Sequence, residues 1–248
     1  MKNVITVLAD DSVYGKNALA HAQKLAQIFD ADVDEISLLE KQNLDAVLDA
    51  SEEGNILCFV MPVAPSKKLA FFNPKKARKL ICKSRAPVFT IGNNEPKEND
   101  YQQVVLPLDI NCQDKELALW ASYFPTYIQR NCPHIPKHNL LIHIVYNQYK
   151  DELLRKKVQN NVEFSTKMFD NLEVPYKLHP VTKINNIHTF GVEFAHTIGN
   201  GVLLFLMTEH FSIIDLLFGP VEHKILGNRY NIPVLCLNAR EDIFVICQ

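Results

Sequence analysis

The chain has few glycines, almost no net charge and no long apolar run, and each shortage excludes a class of protein. Only eight of its 248 residues are glycine, which is few for a backbone that must close around a phosphate group. With 26 basic and 28 acidic side chains, the formal charge of −2 provides no general field that attracts nucleic acid or an anionic membrane. The apolar run Val202–Met207 is far shorter than the ~20 residues that cross a bilayer. We therefore expect no nucleic-acid partner and no membrane partner.

The cysteines form no disulfide framework. The six cysteines are scattered without a C-x-x-C pair, and several lie in apolar runs, which is typical of buried free thiols in a reducing compartment. The apolar stretch Val4–Ala9 is followed by Asp10 and Asp11 before a signal-peptide core can form. Apolar residues still make up 47% of the chain, enough for a substantial core. These features predict a globular cytoplasmic protein.

An internal repeat organises the sequence. Residues 55–92 align without a gap on residues 201–238, at an offset of 146, and nine positions are identical. Each copy reads as an apolar strand, a loop, a helix and a second strand that begins at a Pro-Val pair. The pairs Asn73-Pro74 and Gly219-Pro220 strongly indicate the beginning of a helix. Proline is well tolerated at the first helical position, because the backbone N–H that it lacks would have no partner there.

The beginnings of the two halves also match. The segment Thr6–Asp10 is similar to Val105–Asp109 at an offset of 99, and helix patterns follow over about 15–29 and 113–130. The two offsets differ by 47 residues, which is enough for a strand, a helix and their connections. We expect this extra material to include a strand over 139–146 and a helix over about 149–171.

Apolar strands that alternate with helices predict an α/β fold in which parallel strands are covered on both faces. The repeat divides the chain into a truncated domain over 1–92 and a complete domain over 102–238. A polar linker over 93–101 connects them, and the tail over 239–248 is a candidate for one added edge strand.

Several segments of the second half occur in a distinctive order. A strand ends in Pro107-Leu108-Asp109, the next strand contains His143, and the closing segments are Phe218–Leu226 and Ile232–Leu235. In this order and spacing they resemble the universal stress protein family, with the first half as a shortened copy. The resemblance implies two tandem Rossmann-like domains of the adenine nucleotide alpha hydrolase type, with mostly parallel sheets.

Members of this family commonly form dimers through their last strands. The resemblance therefore implies an intramolecular pseudo-dimer, in which Val88–Ile91 pairs with Val234–Leu237 and satisfies two strand edges that would otherwise be exposed. Association of two whole chains into a homodimer stays open.

The resemblance also implies a nucleotide site at the carboxyl ends of the strands in the second domain. The positions that it assigns to ligand contact are Asp109, Val145, Met207 and Gly219. ATP-binding members have a glycine-rich phosphate loop here that ends in Gly-Ser or Gly-Thr, whereas this chain has Pro220 after Gly219 and a carboxylate at Glu209. No glycine lies between Met207 and Gly219. We therefore expect a vestigial site that does not bind ATP in the usual way.

The remaining groups of candidate residues do not indicate a metal site or a catalytic site. Cys132, His134 and His138 are zinc-ligand types, but their irregular, proline-rich segment is more typical of a surface loop, so we expect no metal. No catalytic arrangement follows from spacing. The sequence predicts a non-enzymatic stress-response protein without a cofactor, which binds a small molecule or a protein partner and acts as a regulator. Two alternatives stay open: an ATP site in the second domain, and a structural or interaction module without a ligand.

Overall fold

The computed structural model describes residues 2–37, 56–65, 72–110, 114–182, 184–199, 201–207 and 221–238. These residues contain nine strands and six α-helices in an α/β arrangement, which confirms the predicted fold class. They form two compact units. One unit draws on Met1–Asp100 and Met207–Asn238, and the other draws on Tyr101–Leu206. The domain boundaries that the repeat suggests stay a prediction.

Strands and helices alternate through both units. In chain order they are β1 (Val4–Ala9), α1 (Val13–Phe29), β2 (Asp32–Ser37), β3 (Ile56–Pro62), α2 (Pro74–Ile81), β4 (Val88–Ile91), β5 (Gln103–Leu108), α3 (Asp114–Asn131), β6 (Leu141–Asn147), α4 (Glu152–Asn171), β7 (Tyr176–Val181), α5 (Ile187–Ile198), β8 (Gly201–Met207), α6 (Val221–Leu226) and β9 (Val234–Asn238). The first unit has the strand order β2-β1-β3-β4-β9, and the second has β8-β5-β6-β7. Among the described strands of each unit, β4 and β9 form the single antiparallel pair, and all the other pairs are parallel. The sheets are therefore mostly parallel, as predicted.

Strand β4 pairs with β9, which is the strand pairing that the family resemblance implies, and the two strands run antiparallel. The central pair is Phe89 with Leu235, and these two residues are counterparts at the repeat offset of 146. On either side, Val88 pairs with Cys236 and Thr90 pairs with Val234, and the offset of 146 converts each of these pairs into the other. A two-fold axis through the central pair would produce this register. A pseudo-dimer of two whole domains stays a prediction.

Local signals place the helices close to where the sequence predicts them. Helix α2 begins at Pro74, and the Asn73 side chain accepts a hydrogen bond from the Lys76 backbone N–H at 3.0 Å. Helices α1, α3 and α4 each begin within three residues of their predicted start. The second predicted helix start, Gly219-Pro220, and the tail over 239–248 lie outside the described residues.

The additional strand of the second unit is not the predicted one. Strand β6, the expected extra strand, pairs parallel with β5, and β2 pairs parallel with β1 in the same way. Strand β6 therefore has a counterpart in β2. Strand β7, which lies beyond β6, has none among the described strands of the first unit. Strand β2 gives no clear strand pattern in the sequence, because most of its side chains are exposed and several, such as Asp34 and Glu35, are acidic.

Each unit has its own apolar core. Phe59, Phe72 and Phe89 are almost fully buried in the first unit, and Phe124 and Phe169 are fully buried in the second. Burial of such rings is the main favourable contribution to folding, at roughly 2 to 3 kcal/mol for each side chain. None of the described helices is both long and apolar enough to cross a membrane.

Candidate functional site

The structure brings two of the four predicted site positions to neighbouring strands. Asp109 directly follows β5, and Val145 lies in the adjacent β6 opposite Pro107. Met207 is the last residue of β8, and Gly219 lies outside the described residues. The carboxyl ends of β5 and β6 therefore form one edge of the second unit, which is where open α/β sheets usually bind their ligands.

Val145 is not accessible at this edge. Its exposed fraction is 0%, and it lies between Pro107 of β5 and His179 of β7. Side chains alternate along a strand, so Val145 shares one face of the sheet with His143 and Asn147. A ligand would reach Val145 only if neighbouring side chains moved.

The Asp109 residue is held by other parts of the same unit. Its carboxylate Oδ1 accepts a hydrogen bond from the Tyr149 hydroxyl at 2.7 Å, and its backbone carbonyl accepts one from the Asn161 side-chain amide at 2.7 Å. Asn161 is 4% exposed and lies on α4, whereas Tyr149 lies in the loop between β6 and α4. Both bonds connect the end of β5 to the strand–helix unit that follows it.

Tyr149 is a hydrogen-bond donor throughout the neutral pH range. Burial, followed by the hydrogen bond and the charge of Asp109, raises the pKa of its phenol to about 12. The Asn147 side chain also hydrogen-bonds the phenol and acts in the opposite direction on its pKa. Asn147 in turn donates to the Ile184 backbone carbonyl at 3.0 Å, so the network extends to the segment before α5.

His188, near the beginning of α5, is the titratable neighbour of this network. Burial lowers the pKa of its imidazole to about 4, although the charge of Asp109 acts to raise it. His188 is therefore uncharged at neutral pH. The Tyr149, Asn161 and His188 side chains thus bring hydrogen-bonding groups to Asp109 and, at neutral pH, no positive charge of their own.

A second polar cluster crosses the sheet closer to its amino end. His143 Nε2 lies 3.0 Å from the Gln103 amide oxygen, and His143 Nδ1 lies 3.0 Å from His179 Nε2. The amide oxygen can only accept, so Nε2 of His143 carries the hydrogen and its Nδ1 accepts from His179. Phe194 of α5 packs on both imidazole rings, with centroid distances of 5.4 and 4.7 Å. Burial first, and then the charges of His179 and Lys177, lower the pKa of His143 to about 4.

The equivalent aspartate of the first unit has a different role. Asp10 Oδ1 accepts hydrogen bonds from the backbone N–H and the hydroxyl of Ser12, and Ser12 Oγ accepts one from the Gly15 backbone N–H. Ser12 is thus the N-cap of α1, and Asp10 supports that cap. Supporting a turn or a cap in this way is an ordinary role for an aspartate at the end of a strand.

The cysteine–histidine loop forms no recognisable metal centre. Cys132 is 9% exposed at the end of α3, while His134 and His138 are exposed in the loop that follows. Among the residues that the structure describes, no group of three or more His, Cys, Asp or Glu side chains is arranged to hold a metal ion.

Only part of this site could be predicted from the sequence. The strand-end position identified Asp109, but Tyr149, Asn161 and His188 were not recognised as its neighbours. Tyr149 follows β6 by two residues, so its place at the carboxyl edge was the available signal. No comparable signal marks Asn161 in the middle of α4.

Comparison with known proteins agrees with this fold. No protein-family model matches the chain, and no curated protein matches it by sequence. A universal stress protein from Archaeoglobus fulgidus matches the structure with a TM-score of 0.65 and 11% identity, covering 96% of this chain and 99% of its own. A functionally unknown protein from Pseudomonas aeruginosa matches with a TM-score of 0.53 and 13% identity, covering 99% of this chain and 95% of its own. The chain therefore has the fold of a universal stress protein, as the sequence resemblance implies.

Proposed function

We propose that this chain is a non-enzymatic, cytoplasmic stress-response protein that recognises a ligand or partner at the carboxyl edge of the second unit. The observation that carries the proposal is the network around Asp109, where a strand-end carboxylate meets Tyr149, Asn161 and an uncharged His188. The architecture shared with a universal stress protein supports the stress-response role.

The same network argues against the usual mode of ATP binding. A triphosphate brings several negative charges, and Coulomb repulsion from the Asp109 carboxylate is unfavourable unless a cation offsets it. The hydroxyl of Tyr149 already occupies the carboxylate, and His188 supplies no positive charge at neutral pH. The absence of glycine between Met207 and Gly219 in the sequence points the same way.

Isothermal titration of the purified protein with Mg-ATP tests this proposal. We expect no binding tighter than about millimolar, which is a binding free energy of about 4 kcal/mol. We also expect no phosphate release above a protein-free control when the two are incubated together. Micromolar affinity for Mg-ATP would instead support the ATP-binding alternative.

A ligand-free structural or interaction module is the second candidate. The complete burial of Val145 and the internal hydrogen bond to Asp109 favour it, because both satisfy the edge without a ligand. Native mass spectrometry of freshly purified protein separates the candidates. A bound small molecule of defined mass would support the binding function, whereas a stoichiometric protein assembly without one would support the interaction module.

A further inference from the structure

A hydrogen-bonded pair of histidines joins the outermost strand of the second unit to its neighbour. His143 lies on β6, His179 lies on β7, and their facing ring nitrogens are 3.0 Å apart. We propose that this pair is an acid-sensitive latch, which holds β7 and α5 to the sheet at neutral pH and loosens them when both rings are protonated. The latch is a conformational response of the second unit and does not depend on ligand binding near Asp109.

The position of the pair allows it to control these two elements. Strand β7 lies at the end of the strand order and pairs with β6. It contains Pro180, which has no backbone N–H to donate, and its Leu178 is 40% exposed. Phe194 of α5 packs on both imidazoles, with centroid distances of 5.4 Å to His143 and 4.7 Å to His179. A change in the two rings therefore acts on the contact of β7 with β6 and on the packing of α5.

The hydrogen bond between the rings can accommodate one added proton but not two. A neutral imidazole has one N–H donor and one acceptor nitrogen. His143 Nε2 lies 3.0 Å from the Gln103 amide oxygen, so in the neutral pair His143 Nδ1 accepts from His179 Nε2. With one added proton, either ring can be the charged donor while the other still accepts. With two added protons, both facing nitrogens carry a hydrogen and the bond is lost.

Lys177 makes double protonation of the closed pair still less favourable. It lies on β7 opposite His143, so two charged imidazoles would place three positive charges on one face of the sheet. Burial is the main cause that lowers the pKa of both imidazoles. The charge of His179 follows for His143, and the charge of Lys177 acts in the same direction on both. The same-face neighbours of His143 on β6 are the apolar Leu141 and Val145.

The other elements packed against the pair contribute uncharged groups to it. Gln103 of β5 hydrogen-bonds His143, and Phe194 of α5 packs on both rings. Glu193 and His196 of α5 are exposed. Burial lowers the pKa of His188, near the beginning of α5, to about 4. Acid therefore acts on α5 through His188 as well, whereas β7 reports on the pair.

The size of the response follows from proton linkage. The pKa of His143 is about 4 in the closed pair, and we take the ordinary value of 6.5 for the open one. A group with a lowered pKa stabilises the closed state above about pH 6.5, and this contribution is lost as the pH falls toward 4. From about pH 7 to about pH 5, His143 alone should raise the opening equilibrium of β7 about 20-fold.

Hydrogen exchange of the full chain at these two pH values tests the latch. After correction for the intrinsic exchange rate at each pH, we expect the protection of the β7 amides to fall about 20-fold. Strand β5, which lies between β8 and β6, should lose less than about threefold. An equal loss in β5 and β7 would show that acid unfolds the whole unit, and would overturn the latch.

His179→Gln distinguishes the pair from the burial of one histidine. The glutamine amide can donate to neutral His143 and, after turning over, can accept from charged His143, so protonation no longer breaks the bond. A hydrogen bond to a charged group is strong, so the loss of β7 protection should shrink from about 20-fold to about 7-fold or less. His143→Gln, which removes the buried titratable ring, should shrink the loss at least as much. Burial of His143 alone predicts no change in His179→Gln.

His196→Gln is the matched control. His196 is exposed on α5, two residues after Phe194, so its variant should lose as much β7 protection as the wild type does. If His179→Gln also matches the wild type, the pair is not a latch. Ring resonances of the wild-type chain give a measurement that needs no variant. A coupled pair titrates in two separate steps, and a common pKa near 6.5 for His143 and His179 would overturn the proposal.

Discussion

His21 should make the first unit sensitive to mild acid. Its side chain is fully buried on α1, and its Nε2 lies 3.1 Å from the Asn94 backbone carbonyl in the segment between β4 and β5. Burial lowers the pKa of the imidazole from 6.5 to about 4, and the charge of Lys24 acts in the same direction. The hydrogen bond with Asn94 acts to raise the pKa but is outweighed. Protonation of His21 therefore favours the unfolded chain.

The sign and size follow from proton linkage. A group whose pKa is lower in the folded state stabilises the protein above its unfolded pKa, so this stability is complete above about pH 6.5 and is lost as the pH falls toward 4. The difference between 6.5 and about 4 corresponds to a total of about 3 kcal/mol. Between about pH 7 and about pH 5, His21 alone should lower the free energy of unfolding by about 2 kcal/mol.

His21→Gln isolates this contribution. A glutamine amide can donate a hydrogen bond to the Asn94 carbonyl, but it does not titrate in this range. Urea denaturation at the two pH values gives the loss of stability for each chain. We expect the loss to be smaller in the variant by about 2 kcal/mol, while His143 and His188 contribute equally to both chains.

His138→Gln is the control for any general effect of removing a histidine. His138 is exposed in the loop after α3, so its variant should lose as much stability on acidification as the wild type does. If His21→Gln and wild type lose the same stability between the two pH values, burial of His21 does not control acid sensitivity, and the reasoning is refuted.

Two close contacts in the first unit give further predictions. A Cβ atom on Gly15 would lie 2.0 Å from the Asp10 backbone oxygen, so Gly15→Ala should lower the free energy of unfolding by about 3 kcal/mol in urea denaturation; an unchanged midpoint would contradict this contact. Glu222→Gln should cost about 3 kcal/mol because it leaves the buried Arg78, 3.9 Å away, beside a neutral amide. The double variant Arg78→Met, Glu222→Leu should recover most of that loss, and no recovery would show that the pair itself stabilises the fold.

The sequence predicted best where burial and local geometry agree. Strands β3, β4 and β6 are apolar runs because they are largely buried in their sheets, and such runs are visible without a structure. Helix α2 was predicted from Asn73 and Pro74, whose capping geometry involves only neighbouring residues. In both cases the information lies within a few consecutive positions.

The edge strands were missed for the opposite reason. Strand β2 lies at one edge of its sheet and is mostly exposed, so its side chains alternate little in polarity. Strand β7 contains Pro180, which is disfavoured inside a sheet but tolerated at an edge, and Leu178 is 40% exposed. An edge strand gains its stability from backbone pairing with one neighbour, and that pairing leaves little pattern in the sequence.

The candidate site also contains one residue that local sequence predicts and others that it does not. The place of Asp109 at a strand end follows from local sequence, whereas its partners Tyr149 and Asn161 are 40 and 52 residues away along the chain. Which side chains meet there depends on how β6 and α4 pack against β5. Only the folded structure specifies that packing.

The two strand-end aspartates show why equivalence in a repeat does not transfer function. Asp10 and Asp109 each follow the first strand of their half, but Asp10 binds Ser12 two residues on, within its own turn. Asp109 instead meets Tyr149 from the next strand–helix connection. The Asp10 carboxylate therefore stabilises the start of α1, and exchanging its partner would cost part of a helix cap. The Asp109 carboxylate instead connects the end of β5 to the loop between β6 and α4, so the two aspartates fix different parts of their units.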